Sequence, residues 1–224
     1  MGKVRLSMAM SLDGYVAGPN PSVELPLGEG GMQLHEWAIN LEAWRKPHGL
    51  EGGEVDASTP IVEDSLENVG AYLMGRNMFG GGTGPWGDDP WNGWWGEDPP
   101  FHVPVFVLTH HAREPLPREG GTTFLFVTDG IEAALDQARD AADGRDVVIA
   151  GGAGVAQQYL DAGLLDELTL SIVPVLLGGG TRFFADGATG NLEQIGAFEA
   201  PGVTHLRYVC ASETRGLPAT LFPS

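Results

Sequence analysis

"VVIAGGAGVAQQYLDAG", residues Val147–Gly163, joins two periodicities. Val147–Ala150 is a continuous apolar run, as in a strand covered on both faces. Gly151, Gly152 and Gly154 interrupt it, and the residues that follow have helical spacing. A strand that turns directly into a helix is part of a βαβ unit. Glycines at such a turn serve one of two ends. They make a tight turn, or they let a charged group such as a phosphate lie against bare backbone at the positive end of a helix.

Outward from this unit the alternation continues. Residues 71–75 (AYLMG), 103–110 (VPVFVLTH) and 122–128 (TTFLFVT) read as strands, and 131–142 (IEAALDQARDAA) as a helix. RNMFGG, after AYLMG, starts a helical turn, and residues 3–9 (KVRLSMA) form a first strand. Residues 166–178 read as one long strand, and 193–200 and 203–211 as a closing antiparallel pair. Residues 11–22 carry turn chemistry throughout. Residues 32–45 (MQLHEWAINLEAWR) predict a single amphipathic helix ended by Pro47 and Gly49, followed by an exposed excursion over 48–60 and a short helix over 63–70. The fold class that follows is α/β: one domain over 1–224 with a mostly parallel central sheet, helices on both faces and an antiparallel C-terminal edge. Residues 80–102 form an insertion rich in Trp, Gly and Pro. Trp86, Trp91, Trp94 and Trp95 predict a lid over a flat ligand or a subunit contact, not simple disorder.

The chain has 30 acidic against 12 basic residues, a net charge of −18. That balance repels polyanions and argues against nucleic acid and anionic membranes as partners. A small anion remains compatible where arginines and helix N-termini converge. No apolar run approaches the ~20 residues of a membrane span. The N-terminus reads as a strand, not a signal peptide. Cys210 is the one cysteine, so no internal disulfide forms, and a reducing cytoplasm fits.

Ligands of parallel sheets sit at the carboxyl ends of the strands. Three turns fall there: Gly75-Arg76-Asn77, Leu108-Thr109-His110 and Gly151–Val155. Arg76 at a helix start opposes the helix dipole, a conflict that an adjacent anion would remove. GGAGVA is not the G-x-G-x-x-G fingerprint of an ordinary dinucleotide fold. His110 and His111 would point to opposite faces of an extended segment, and no cluster completes a metal site, so no metal is expected.

Taken in order, MSLDGYVAG, LMGRNMF, VFVLTH, VVIAGGAGVAQQYLDAGLLDEL and SIVPVLLGGGTRFF resemble the family that unites dihydrofolate reductase with the reductase domain of bacterial riboflavin biosynthesis. The resemblance spans roughly residues 3–210 and implies an NADPH-dependent reductase acting on a pterin-like or riboflavin-precursor-like substrate. It implies that Gly75, Arg76 and Asn77 hold the 2′-phosphate side of the cofactor, and that Leu108, Thr109 and His110 meet its adenosine. Gly151, Gly152, Ala153, Gly154 and Val155 would hold the pyrophosphate. Ala9 and the loop Leu12-Asp13-Gly14 would form the nicotinamide-side lid. A homodimer is also implied, to which the apolar stretch LTLSIVPVLL adds a surface. The single cysteine excludes the zinc deaminase domain that often accompanies riboflavin-pathway reductases.

Asp13 is the candidate proton donor, or else an ordinary turn aspartate. His35 would face either the pocket or solvent. Trp37 and Trp86 are candidate substrate contacts. A second class stays open: a nucleotide- or flavin-binding module of the same fold without turnover.

Overall fold

The computed structural model describes residues 1–22, 24–184 and 191–211. Strand β1 (Val4–Ser11) runs through the middle of a nine-stranded sheet. Its neighbours are β7 (Asp146–Gly151) and β8 (Glu167–Val173), both parallel to it. Beyond β7 come β3 (Val69–Gly75), β4 (Pro104–Leu108) and β6 (Thr123–Val127), again parallel, and then the short antiparallel β5 (Leu116–Pro117). Beyond β8 lie β11 (Val203–Ala211) and β10 (Asn191–Ala200), which make the antiparallel edge. Two further short strands, β2 (Tyr15–Ala17) and β9 (Thr181–Arg182), pair apart from this sheet.

Side chains alternate across each strand. Val4, Leu6, Ala71, Leu73, Val147 and Ile149 face one side, where α5 (Gly130–Ala142) and α6 (Ala153–Asp161) cover them. Ala153, Ala156 and Tyr159 bury the inner stripe of α6, and the Tyr159 hydroxyl donates to the Ile131 carbonyl at 2.7 Å. On the opposite face, Tyr72, Met74, Val105, Val107 and Val148 pack beneath α4 (Arg76–Phe79) and residues 86–103. Further along that face Ala9, Val173 and Val203 pack against Leu34 and Trp37. Between these two blocks Ser7 is exposed, although it sits in the central strand of the sheet. A small cleft over β1 is lined there by Ser7, Ile61, Ser65, Val148 and Thr169.

The segment 32–45 is not one helix. It consists of a 3-10 turn (Gly31–Leu34), α1 (Glu36–Ile39) and α2 (Glu42–Arg45). The break falls at Leu41, whose ψ of 138° is extended and whose backbone bridges to Glu54. Burial of Leu41 and two backbone bonds, Glu42 N–H to Glu54 and Glu54 N–H to Asn40, outweigh the helical periodicity. Residues 48–57 are exposed as expected, apart from the half-buried Asp56, but the excursion is tied down at Glu54 and ends on the buried Ser58 and Thr59. Helix α3 spans Thr59–Leu66, starting earlier than expected with Pro60 in its first turn, a position that needs no N–H. The long strand expected over 166–178 stops at Val173, before Pro174. β8 lies between β1 and β11, so most of LTLSIVPVLL is sheet interior and not a contact surface; Leu176 beyond it is exposed.

Candidate functional site

The three turns named from sequence meet at one edge. Gly75 pairs with Leu108, and Met74 pairs with Gly151. Gly75 also lies directly against the start of α6. A Cβ placed on it would sit 2.8 Å from Val155 Cγ2 and 3.8 Å from the Gly152 nitrogen. Only glycine fits this approach of strand to helix. Gly151 has φ of +131°, a conformation closed to side-chain-bearing residues, and its peptide to Gly152 is cis.

Gly152 caps α6 without any side-chain hydrogen bond, and no acidic residue stands in the first helical turn. The first N–H groups of a helix lack partners inside it. A Cβ on Gly152 or Gly154 would meet nothing within 4 Å. Those two glycines are therefore not demanded by packing, and they leave the positive helix end bare. This is the arrangement that holds an anion. Ala153 is buried beneath the turn and Val155 is half-buried against Gly75.

Arg76 does not face this edge as expected. It is 7% exposed, and its guanidinium donates to the Gly80 carbonyl at 2.9 Å and the Gly81 carbonyl at 3.1 Å. Its Cζ lies 3.1 Å from the centroid of the Trp86 ring. Because α4 has four residues, a side chain from its first position reaches the carbonyls just past its last. The conflict with the dipole is relieved at the far end of the helix, with no anion required. Burial, and secondarily Arg113, pull the guanidinium pKa down to about 10.

Asn77 is exposed, Leu108 is half-buried, and Thr109 is buried with its hydroxyl accepting the His111 N–H at 3.2 Å. His110 is exposed at the same edge. Thus Gly75, Asn77, Leu108, Thr109, His110 and the Gly151–Val155 turn are brought together, while the Arg76 charge is turned away beneath Trp86.

Ala9 is half-buried at the end of the cleft, against Leu34 and Val173. Beyond it Gly14 turns the chain, donating to Ser11 and accepting from Phe183. The Asp13 carboxylate accepts from the Ser11 hydroxyl at 2.6 Å and from the backbone N–H groups of Leu177 at 3.1 Å and Gly178 at 2.7 Å. The Ser11 hydrogen bond, with the backbone N–H groups adding to it, holds its pKa below the usual carboxylate range. A carboxylate so held is a clamp between two loops and a poor proton donor at neutral pH. His35 is half-buried, not solvent-facing, and burial lowers its pKa.

Trp37 and Trp86 cannot wall one pocket. Trp37 packs edge-on to His205 of β11 at 4.8 Å, whereas Trp86 packs on Phe126 of β6 at 4.9 Å, toward the opposite end of the sheet. The Trp-rich insertion packs onto the protein's own sheet and does not stand as a lid over an open pocket. The indole N–H groups of Trp86, Trp91 and Trp94 donate to the carbonyls of His111, Phe79 and Met78. Trp95 stacks on Phe124 at 6.0 Å. The insertion is hydrophobic cover for β3, β4 and β6.

Two residues at the edge escape a reading by turns alone. Gln157 of α6 donates to the Phe183 carbonyl, and Arg182 lies over the Tyr15 ring at 4.9 Å. The signal for Arg182 was its place after three glycines in GGGTRFF, a stretch remarkable in composition but without a periodic pattern. Among the described residues no three His, Cys, Asp or Glu side chains gather as metal ligands, and no helix is long and apolar enough to cross a membrane.

The family model of the RibD C-terminal domain matches residues 2–206. Among solved structures, a protein from Shewanella sp. PV-4 ascribed to riboflavin biosynthesis superposes with a TM-score of 0.59 at 22% identity, covering 94% of this chain and 99% of that one. Dihydrofolate reductase from Enterococcus faecalis, in complex with NADP(H), gives a TM-score of 0.50 at 15% identity and covers 94% and 98%. At these identities the likeness is one of fold. The uncharacterized protein YyaP of Bacillus subtilis (strain 168) is 26% identical over 189 residues, 82% of this chain and 81% of that protein.

Proposed function

This chain belongs to the RibD C-terminal domain family, and we propose that it is an NADPH-dependent reductase of a small heteroaromatic or carbonyl substrate, pterin-like or resembling a riboflavin precursor. The observation that carries this reading is the bare start of α6 lying against Gly75, with open space at Gly152 and Gly154. A diphosphate fits these residues: glycine backbone, unpartnered N–H groups and no nearby carboxylate in the first turn. The bound cofactor would supply a hydride.

The chain's own residues do the rest. The Gly151–Val155 turn binds the diphosphate. Thr109 and His110 border the adenosine side, and the N–H groups and Asn77 at the start of α4 border the 2′-phosphate. Arg76 fixes the shape of that border from beneath instead of touching it. Ala9 and the cleft over Ser7 receive the flat part of the substrate. Asp13 pins the lid loop to Leu177 and Gly178 and so excludes water from the cleft. The exposed Ile195 and Phe198 on the edge strand β10 fit a homodimer contact.

A second reading, binding without turnover, is favoured by one observation: the acid nearest the lid, Asp13, is committed to hydrogen bonds. One experiment separates the two. The protein is titrated with NADPH and NADH, and NADPH oxidation is then followed with pterins, flavins, quinones and pyrimidine precursors. Binding with oxidation by one of these substrates supports the reductase. Binding without oxidation by any supports the module. Failure to bind either nucleotide overturns the reductase and the nicotinamide-nucleotide module alike, and a flavin titration then decides on a flavin module.

A further inference from the structure

Arg182 is exposed and has no carboxylate or hydrogen-bond acceptor among the described residues. That is unusual in a chain of net charge −18, where an exposed guanidinium has many acids to choose from. Its position is nevertheless firmly set. Its strand, β9, pairs with Tyr15 immediately after the lid turn, and the next residue, Phe183, donates its N–H to the Gly14 carbonyl at 3.1 Å. The guanidinium lies along the Tyr15 ring and beside Gly14, where a Cβ would come 3.6 Å from one of its terminal nitrogens. From the other side Gln157 of α6 reaches the Phe183 carbonyl. One residue thus carries a fork of donors with no acceptor among the described residues, fastened to the lid by its strand and to α6 by Gln157.

We propose that Arg182 binds one phosphate of the dinucleotide's diphosphate from the lid side, facing the other, which the α6 N-terminus holds. This rests on the dinucleotide reading given above. A planar guanidinium suits a phosphate oxygen pair, and stacking on Tyr15 orders it beforehand. The lid then closes on the cofactor through charge, and the residue that closes it lies outside the three glycine turns.

The test compares wild-type protein with Arg182→Met, which keeps the stem over Tyr15, and Arg182→Lys, which keeps the charge. Each is titrated with NADPH and with adenosine 2′-phosphate, which has no diphosphate, at low and high salt, beside a thermal melt. The expected result is about tenfold weaker NADPH binding in Arg182→Met and a smaller loss in Arg182→Lys. Adenosine 2′-phosphate binding and the melt stay unchanged, and the salt dependence of NADPH binding flattens in Arg182→Met. Wild-type NADPH affinity in Arg182→Met overturns the inference and leaves the dinucleotide reading standing. An equal loss for adenosine 2′-phosphate also overturns it, since the contact would then be to some other phosphate. If wild-type protein binds no NADPH, the dinucleotide reading fails and this inference falls with it.

Discussion

The Asp13 carboxylate lies 2.7 Å from the backbone nitrogen of Gly178, 165 residues away in the chain. One side chain so joins the turn after β1 to the loop after β8. An ionised carboxylate accepts both N–H groups there, whereas an amide accepts one of them and turns its NH2 donors toward the other. Asp13→Asn is expected to weaken NADPH binding and loosen the lid without removing an acidic limb from the pH–rate profile. Its pKa is depressed, so the clamp is intact above the ordinary carboxylate range and is lost as pH falls through the lowered value. Disappearance of a limb near neutral pH in the variant would restore Asp13 as proton donor.

Gly75 and Gly152 stand in contrast. A Cβ on Gly75 collides with Val155, a branched side chain with little freedom in a helix. Gly75→Ala is expected to cost about 1–3 kcal/mol in urea unfolding, and Val155→Ala in the same chain to recover much of it. Gly152→Val meets open space and should leave the unfolding midpoint near wild type while abolishing NADPH binding. Unimpaired binding in that variant would place the diphosphate elsewhere.

Arg76→Ala removes two hydrogen bonds, one to the buried Gly80 and one to Gly81, and the contact with Trp86. A loss of about 2–3 kcal/mol is expected, with a change in tryptophan emission. Affinity for NADPH and NADH should fall together, because the guanidinium acts on the shape of the turn. A loss confined to NADPH in a fully stable variant would show direct contact with the 2′-phosphate.

His205 is fully buried, with Ser58 Oγ and Ser171 Oγ each 2.9 Å from a ring nitrogen. Burial lowers its pKa, opposed by the weaker pull of Asp56. A histidine held neutral in the folded state contributes stability above its unfolded pKa, about 6.5, and loses it as pH falls below that value. Wild-type protein should therefore unfold at lower urea at pH 5.5 than at pH 7.5. His205→Gln should be less stable at pH 7.5 but show a smaller difference between the two. An undiminished difference would assign the pH dependence to other groups.

The strands of the parallel sheet and the helices α5 and α6 follow from periodicity that the residues carry openly, as in Val147–Ala150 and 131–142, whereas the order of the strands comes only from the fold. Leu41 shows where this fails. Its apolar side chain fits the helical stripe, but its backbone is held by Glu54, a contact that only the tertiary fold supplies. The glycine turns were legible because a local composition serves a local need. The roles of Arg76, Asp13 and Trp86 were not, because each is decided by a carbonyl or N–H several residues or half a chain away. Trp86 read as a pocket wall since its composition signals aromatic contact without saying with what.

The Trp-rich insertion is anchored at intervals and free between them. Trp86 and Trp91 are fixed by their indole N–H groups, while Gly87, Asp88 and Asp89 lie exposed in the span that separates them. That span is a natural graft point. A peptide epitope or a dye-bearing residue inserted there would be displayed to solvent and held at both ends by rigid rings.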